Sequence, residues 1–95
     1  MKFEDFISSL EEETPPKEIS SNLLALWYDG KGLWSEAHEI VQDLNTKEAA
    51  WIHAYLHRKE GDDWNAGYWY RQAQTDHCSD SLEQEWASLV RFFLR

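Results

Sequence analysis

Trp51–Ala73 reads WIHAYLHRKEGDDWNAGYWYRQA, and the fold turns on how that stretch is parsed. It holds three of the six Trp, three of the four Tyr and two of the four His. Ala49, Ala50, Ile52, Ala54 and Leu56 run up to Gly61 as the apolar content of one helix. Trp64, Ala66, Tyr68, Trp69, Tyr70 and Ala73 follow it as that of a second. Gly61 breaks the pattern, and Asp62 or Asp63 supplies a cap for the second helix. The stretch therefore predicts two helices folded back on each other about Gly61.

Working outward, Asn45 or Thr46 caps the helix that ends at Gly61. The helix before it begins near Trp34 or Ser35 and carries Ala37, Ile40, Val41 and Leu44. Gly30 and Gly32 separate that helix from an earlier one, expected over residues 17–29, with Ile19, Leu23, Leu24, Leu26 and Trp27 on a broad apolar face. At the N-terminus Phe3, Phe6, Ile7 and Leu10 make one amphipathic stripe, stopped by Thr14-Pro15-Pro16. Pro16 suits the first turn of the next helix. At the C-terminus Leu82, Trp86, Leu89, Val90 and Phe93 make another stripe, with Asp80 and Glu83 as a capping-box-like pair. No strand-like alternation competes. The expectation is an all-α chain of five or six short antiparallel helices, one domain over 1–95: an N-terminal capping helix and Pro linker (1–16), a first helix pair (17–45), a second (46–75) and a C-terminal capping helix (79–95). The Leu82–Phe93 stripe is expected to cover the fifth helix, and the Phe3–Leu10 stripe the front of the second.

The two helix pairs can be laid over one another. An offset of 29 residues places Gly32 on Gly61, Ala25 on Ala54, Ala37 on Ala66, Val41 on Tyr70 and Leu44 on Ala73. Small residues recur where helices must cross closely, and a glycine recurs at the bend. Such a pair cannot bury its apolar face alone and must stack on a neighbour. The pattern Ala54, Gly61, Ala66, Tyr70, Ala73 resembles the tetratricopeptide repeat. It departs in its period, shorter than the usual 34 or so, in lacking the closing proline, and in having His53 and His57 where leucine and an aromatic are more usual. The resemblance spans residues 21–73 and implies two tetratricopeptide-like helix pairs. The block from His53 to Ala73 also resembles a group of small uncharacterised bacterial proteins, which suggests a complete small protein and supplies no activity.

The net charge of −9 is concentrated in residues 1–48, where 11 acids face 4 bases. A polyanion would be repelled, so nucleic acid is not an expected partner. No apolar run reaches the 20 or so residues of a membrane span, and the acidic N-terminus lacks a signal-peptide hydrophobic region. One cysteine, Cys78, cannot form an internal disulfide, which favours a reducing, cytoplasmic setting.

No catalytic constellation stands out. His77 and Cys78 are neighbours in a loop and cannot orient each other as base and nucleophile. Asp62 and Asp63 are explained by capping, and no Gly-rich phosphate loop is present. His53 and His57 lie one turn apart, with His38 on the preceding helix. They form an alternative metal set, though HAYLH lacks the glutamate of a zinc protease helix, and packed histidines are the simpler reading. The resemblance implies a concave face lined by the first helix of each pair: Asn22, Leu26 and Asp29, then Trp51, Tyr55, Arg58 and Lys59. Trp, Tyr and Arg dominate interface hot spots, and Arg58 and Lys59 could hold a partner's carboxylate. Trp64, Tyr68 and Trp69 form a second aromatic set, a candidate homodimer patch. The role expected is a non-enzymatic protein- or peptide-binding module with no cofactor. The alternatives are a small metal protein or enzyme using His38, His53 and His57, and a structural homodimer.

Overall fold

A computed structural model describes residues 1–95. Six helices follow one another and there is no strand: α1 Phe3–Ser9, α2 Ser21–Gly30, α3 Trp34–Gln42, α4 Lys47–Lys59, α5 Asp63–Gln72 and α6 Leu82–Leu94. None is long and apolar enough to cross a membrane.

α2 packs on α3 and α4 on α5, and the two pairs meet along α3 and α4. The bends inside the pairs are built alike. Gly32 and Gly61 take φ of +80° and +86°, where a side chain is disfavoured. In the first bend Gly32 N–H donates to Asp29 C=O at 2.9 Å and Leu33 N–H to Tyr28 C=O at 2.9 Å. In the second, Gly61 N–H donates to Arg58 C=O at 3.0 Å and Asp62 N–H to His57 C=O at 2.9 Å. Both are the Schellman pattern, which satisfies carbonyls orphaned at a helix end. Ala25, Ala37, Ala54 and Ala66 are all fully buried, as small residues at close crossings should be.

Side-chain oxygens start three helices at the expected places or one step away. Thr46 accepts from Ala49 N–H and Asp62 from Asn65 N–H. The last helix starts one residue later than the Asp80–Glu83 pair suggested. Ser81 and Gln84 form the reciprocal capping box, the hydroxyl accepting from Gln84 N–H and the amide oxygen from Ser81 N–H. The second helix starts about four residues late. Glu18 adopts φ 63°, which no helix continues through, and the Ser20 hydroxyl accepts from Leu23 N–H, so Pro16 opens a turn and not a helix.

The larger difference concerns α6. It was expected on α5, yet it lies across α2 and α4, with α1 packed on it in turn. Leu89 and Val90 of α6 join Leu26 of α2 and Ile52 and Leu56 of α4 in one buried core cluster, to which α5 contributes no buried residue. Trp86 Nε1–H donates to Leu26 C=O at 3.0 Å. Gly30 makes room: a β-carbon there would stand 2.9 Å from Leu10 Cδ2 and 3.0 Å from Trp86 Cζ2. α1 is tied to α2 by Trp27, whose Nε1–H reaches Ser9 C=O and Oγ.

Candidate functional site

Trp51, Tyr55, Arg58 and Lys59 share the face of α4 that the sequence points to, and α6 is seated on it. Two buried carboxylates satisfy all four. Glu85 of α6 accepts from Arg58 Nη1 at 2.8 Å, from Tyr70 Oη at 2.6 Å and from Trp51 Nε1 at 3.1 Å. The second terminal nitrogen of Arg58 donates to Asp80 C=O. Asp29 of α2 accepts from Tyr55 Oη at 2.8 Å and from Lys59 Nζ at 2.9 Å. The carboxylates sought by Arg58 and Lys59 are therefore this chain's own. Burial, reinforced by Asp29, drives the Tyr55 phenol far above its usual range; burial and the bond to Glu85 do the same for Tyr70. Burial alone would lower Arg58, but its bond to Glu85 raises it.

The open groove expected along this face is thus closed. Leu26 is fully buried and Tyr55 is 2% exposed. Asn22 is half-buried at the start of α2, and its Oδ1 has no partner. What stays open is a cleft of about 590 Å³ where the ends of α1, α2 and α4 meet the start of α6. Leu10, Leu82, Trp86 and Ala87 wall it, and Tyr55, Asp29, Lys59 and Glu83 are its polar lining. The Lys59 side chain is 36% exposed there, against 1% for Asp29, so its ammonium presents further N–H donors to the opening.

The opposite face of α4 gathers histidines. His38 of α3 meets His53 and His57 of α4, with His38 Nε2 3.0 Å from His53 Nε2. Trp34 stacks on His38, with centroids 4.9 Å apart, and Trp69 stacks on His53 at 3.8 Å. His57 Nδ1 meets Glu60 Oε1 at 2.6 Å. Burial, then the neighbouring His38 and His57, holds His53 down at about 4, and burial with His57 lowers His38. Asp62 caps α5, and the Asn65 backbone N–H it receives keeps its carboxyl low. Cys78 packs against the small cluster of Ala54, Ala66 and Tyr70, and burial pushes its thiol up, away from nucleophilic use. His77 lies against Tyr70, apart from the other three histidines.

In the second aromatic set Trp64 is 78% exposed and Tyr68 40%, whereas Trp69 turns inward onto His53. Sequence reasoning missed Glu85, the residue that seats α6. Its signal was an acid at i+3 from Leu82 and i−4 from Leu89, inside the apolar stripe, where a solvated carboxylate has no place. No known protein family, curated protein or solved structure is significantly similar to the chain.

Proposed function

We propose that the protein is a non-enzymatic peptide-binding module, two tetratricopeptide-like helix pairs whose concave side is narrowed by α6 to a cleft beside Trp86. The observation that supports this reading is the cleft at Tyr55, Lys59 and Trp86: about 590 Å³, with apolar walls and a few polar groups in its lining. Pockets of that size with a few convergent polar groups are where small ligands and peptide side chains bind. The occupant it suits is a bulky apolar side chain next to a neutral backbone carbonyl, which Lys59 Nζ can reach without leaving Asp29; Asp29 and Glu83 in the lining disfavour a carboxylate. The absence of any oriented nucleophile–base pair weighs against catalysis.

The test avoids Tyr55, Arg58 and Lys59, since changing any of them strands a buried carboxylate. Peptides selected from a random display library on the wild type are titrated against Ala87→Trp, which fills the cleft, and the exposed Glu83→Trp, which crowds it from the start of α6. Trp86 fluorescence reports occupancy. Loss of binding in Ala87→Trp is the expected result; equal affinity in both variants, or no selected peptide, overturns the reading. A homodimer is the second reading, favoured by Trp64 and Tyr68, which stand one turn apart on the outer face of α5. Sedimentation showing a wild-type monomer at high concentration removes it.

A further inference from the structure

Three imidazoles in mutual contact, with His53 buried and His38 and His57 half-buried, are an unusual thing to pack. A packed histidine normally finds a carboxylate, a carbonyl or a water for each ring nitrogen. His38 and His53 instead have each other as their only hydrogen-bonding partners, nitrogen to nitrogen at 3.0 Å, so one must donate and the other accept. The ring centroids of His38, His53 and His57 stand 4.8, 5.2 and 5.0 Å apart, close to an equilateral triangle. One ring nitrogen from each lies within 4.8 Å of the other two.

We infer that His38, His53 and His57 bind one divalent transition-metal ion of the zinc, nickel and copper group. The site is independent of the cleft and lies on the other face of α4. A tetrahedral ion with bonds of about 2.0–2.1 Å sets its ligand nitrogens about 3.4 Å apart. The His38–His53 pair, at 3.0 Å, has to open by about 0.4 Å to reach that spacing, and small rotations about the side-chain torsions bring in His57. For both Nε2 atoms to ligate, the ring that donates in the N–H···N pair takes the Nδ1–H tautomer, its proton moving from Nε2 to Nδ1 through solvent, so that each neutral ring offers the ion one lone pair.

The surroundings prepare the ligands. Trp34 lies at 7° to the His38 ring and is itself fixed by its Nε1–H bond to Leu56 C=O at 2.7 Å. Trp69 lies at 11° to the His53 ring. Glu60 engages His57 Nδ1, which leaves Nε2 free, the outer carboxylate arrangement that fixes a ligating imidazole and raises its basicity. Coordination takes neutral imidazoles, and three rings with centroids 4.8 to 5.2 Å apart cannot all carry a charge without repelling one another. Nitrogen ligands without a thiolate suit borderline ions, whereas magnesium and calcium seek oxygens. Three protein ligands leave a fourth position for water. Because His38 comes from the first helix pair and the other two from the second, the ion also cross-links the pairs.

Isothermal titration of the metal-free full chain with zinc chloride tests the site. The expected result is one ion per chain at micromolar affinity or tighter. Copper(II) should quench fluorescence at the same stoichiometry, since Trp34 and Trp69 lie against two of the ligands. Removing a ligand should cost about 100-fold or more, and Glu60→Gln about tenfold. His53→Gln alters a buried residue, so the half-exposed His38→Gln, checked for native helicity, carries the ligand test. His77→Gln should bind as the wild type does. No heat and no quenching up to millimolar zinc, nickel and copper overturns the assignment. So does a folded His38→Gln of unchanged affinity, or an equal loss in His77→Gln.

Discussion

The two faces of α4 bury polar side chains in opposite ways. Toward α6 and α2, Trp51, Tyr55, Arg58 and Lys59 each meet a carboxylate, so every donor has an acceptor of suitable charge. Toward α3 and α5, His53 and His57 meet a third histidine, and the groups repel one another once charged. The first face is complete without anything added, and completeness is the mark of structural use. The second face is complete only if something shares its lone pairs. Of the residues singled out for binding by type, Trp51 and Arg58 seat α6, Tyr55 and Lys59 both hold Asp29 and line the cleft, and the histidines first read as packing offer the ligand set.

Breaking the first face should have the largest effect. Glu85→Leu leaves Arg58, Tyr70 and Trp51 without their acceptor in a closed interior. We expect a loss of about 3 to 5 kcal/mol in chemical denaturation, the range for breaking a buried ion pair. Trp86→Ala follows. It removes a half-buried ring that packs on Phe6 with centroids 6.1 Å apart and bonds Leu26 C=O, and about 3 kcal/mol should go with it. A loss under about 1 kcal/mol in either case would mean α6 is not docked in this way.

The second face makes the metal-free protein sensitive to acid. His53 falls from an ordinary 6.5 to about 4 in the folded state, so between these values the unfolded chain holds more protons. Its contribution is fully present above pH 6.5 and lost as pH falls toward 4. That amounts to about 2 to 3 kcal/mol between pH 7 and 4.5, at about 1.4 kcal/mol per unit. His38 on α3 and His57 on α4 are the titrating groups that act on it, and Trp69 of α5 closes the site without charge. Denaturation midpoints of wild type and His53→Gln should therefore converge toward pH 4.5. Parallel curves would contradict the depressed His53.

How far the sequence could be read follows the same division. The bend glycines, the capping Thr46 and Asp62, and the alanines at the crossings are local signals, each legible from its neighbours in the chain. The seat of α6 is not local. Leu82, Trp86, Leu89 and Val90 announce an apolar face, but only the comparison of α5 with the combined surface of α2 and α4 says where it goes. Glu85 carried that information, because an acid in an apolar stripe needs a buried cation, and Arg58 of α4 is the one it meets. The histidines were legible as a set, His53 and His57 by spacing and His38 by the helix it sits on. Their contact depends on how the two pairs abut.

Glu60→Gln is the smallest effect and the sharpest probe of the comparison. Glu60 and Glu85 are the same residue type, each bonded to a side chain of α4, at 2.6 Å to His57 and 2.8 Å to Arg58. Distance alone would rank Glu60 as the stronger contact. Its side chain, however, is 38% exposed, and that of Glu85 is fully buried. Water competes for Glu60 and screens its field, whereas nothing replaces Glu85. Glu60→Gln should therefore change stability by less than about 0.5 kcal/mol, within the range of ordinary surface changes, while Glu85→Leu costs several times that. A loss above about 1.5 kcal/mol for Glu60→Gln, measured in the metal-free protein, would show the histidine face to be held together by its own ion pair. It would then be as closed a structure as the face beneath α6.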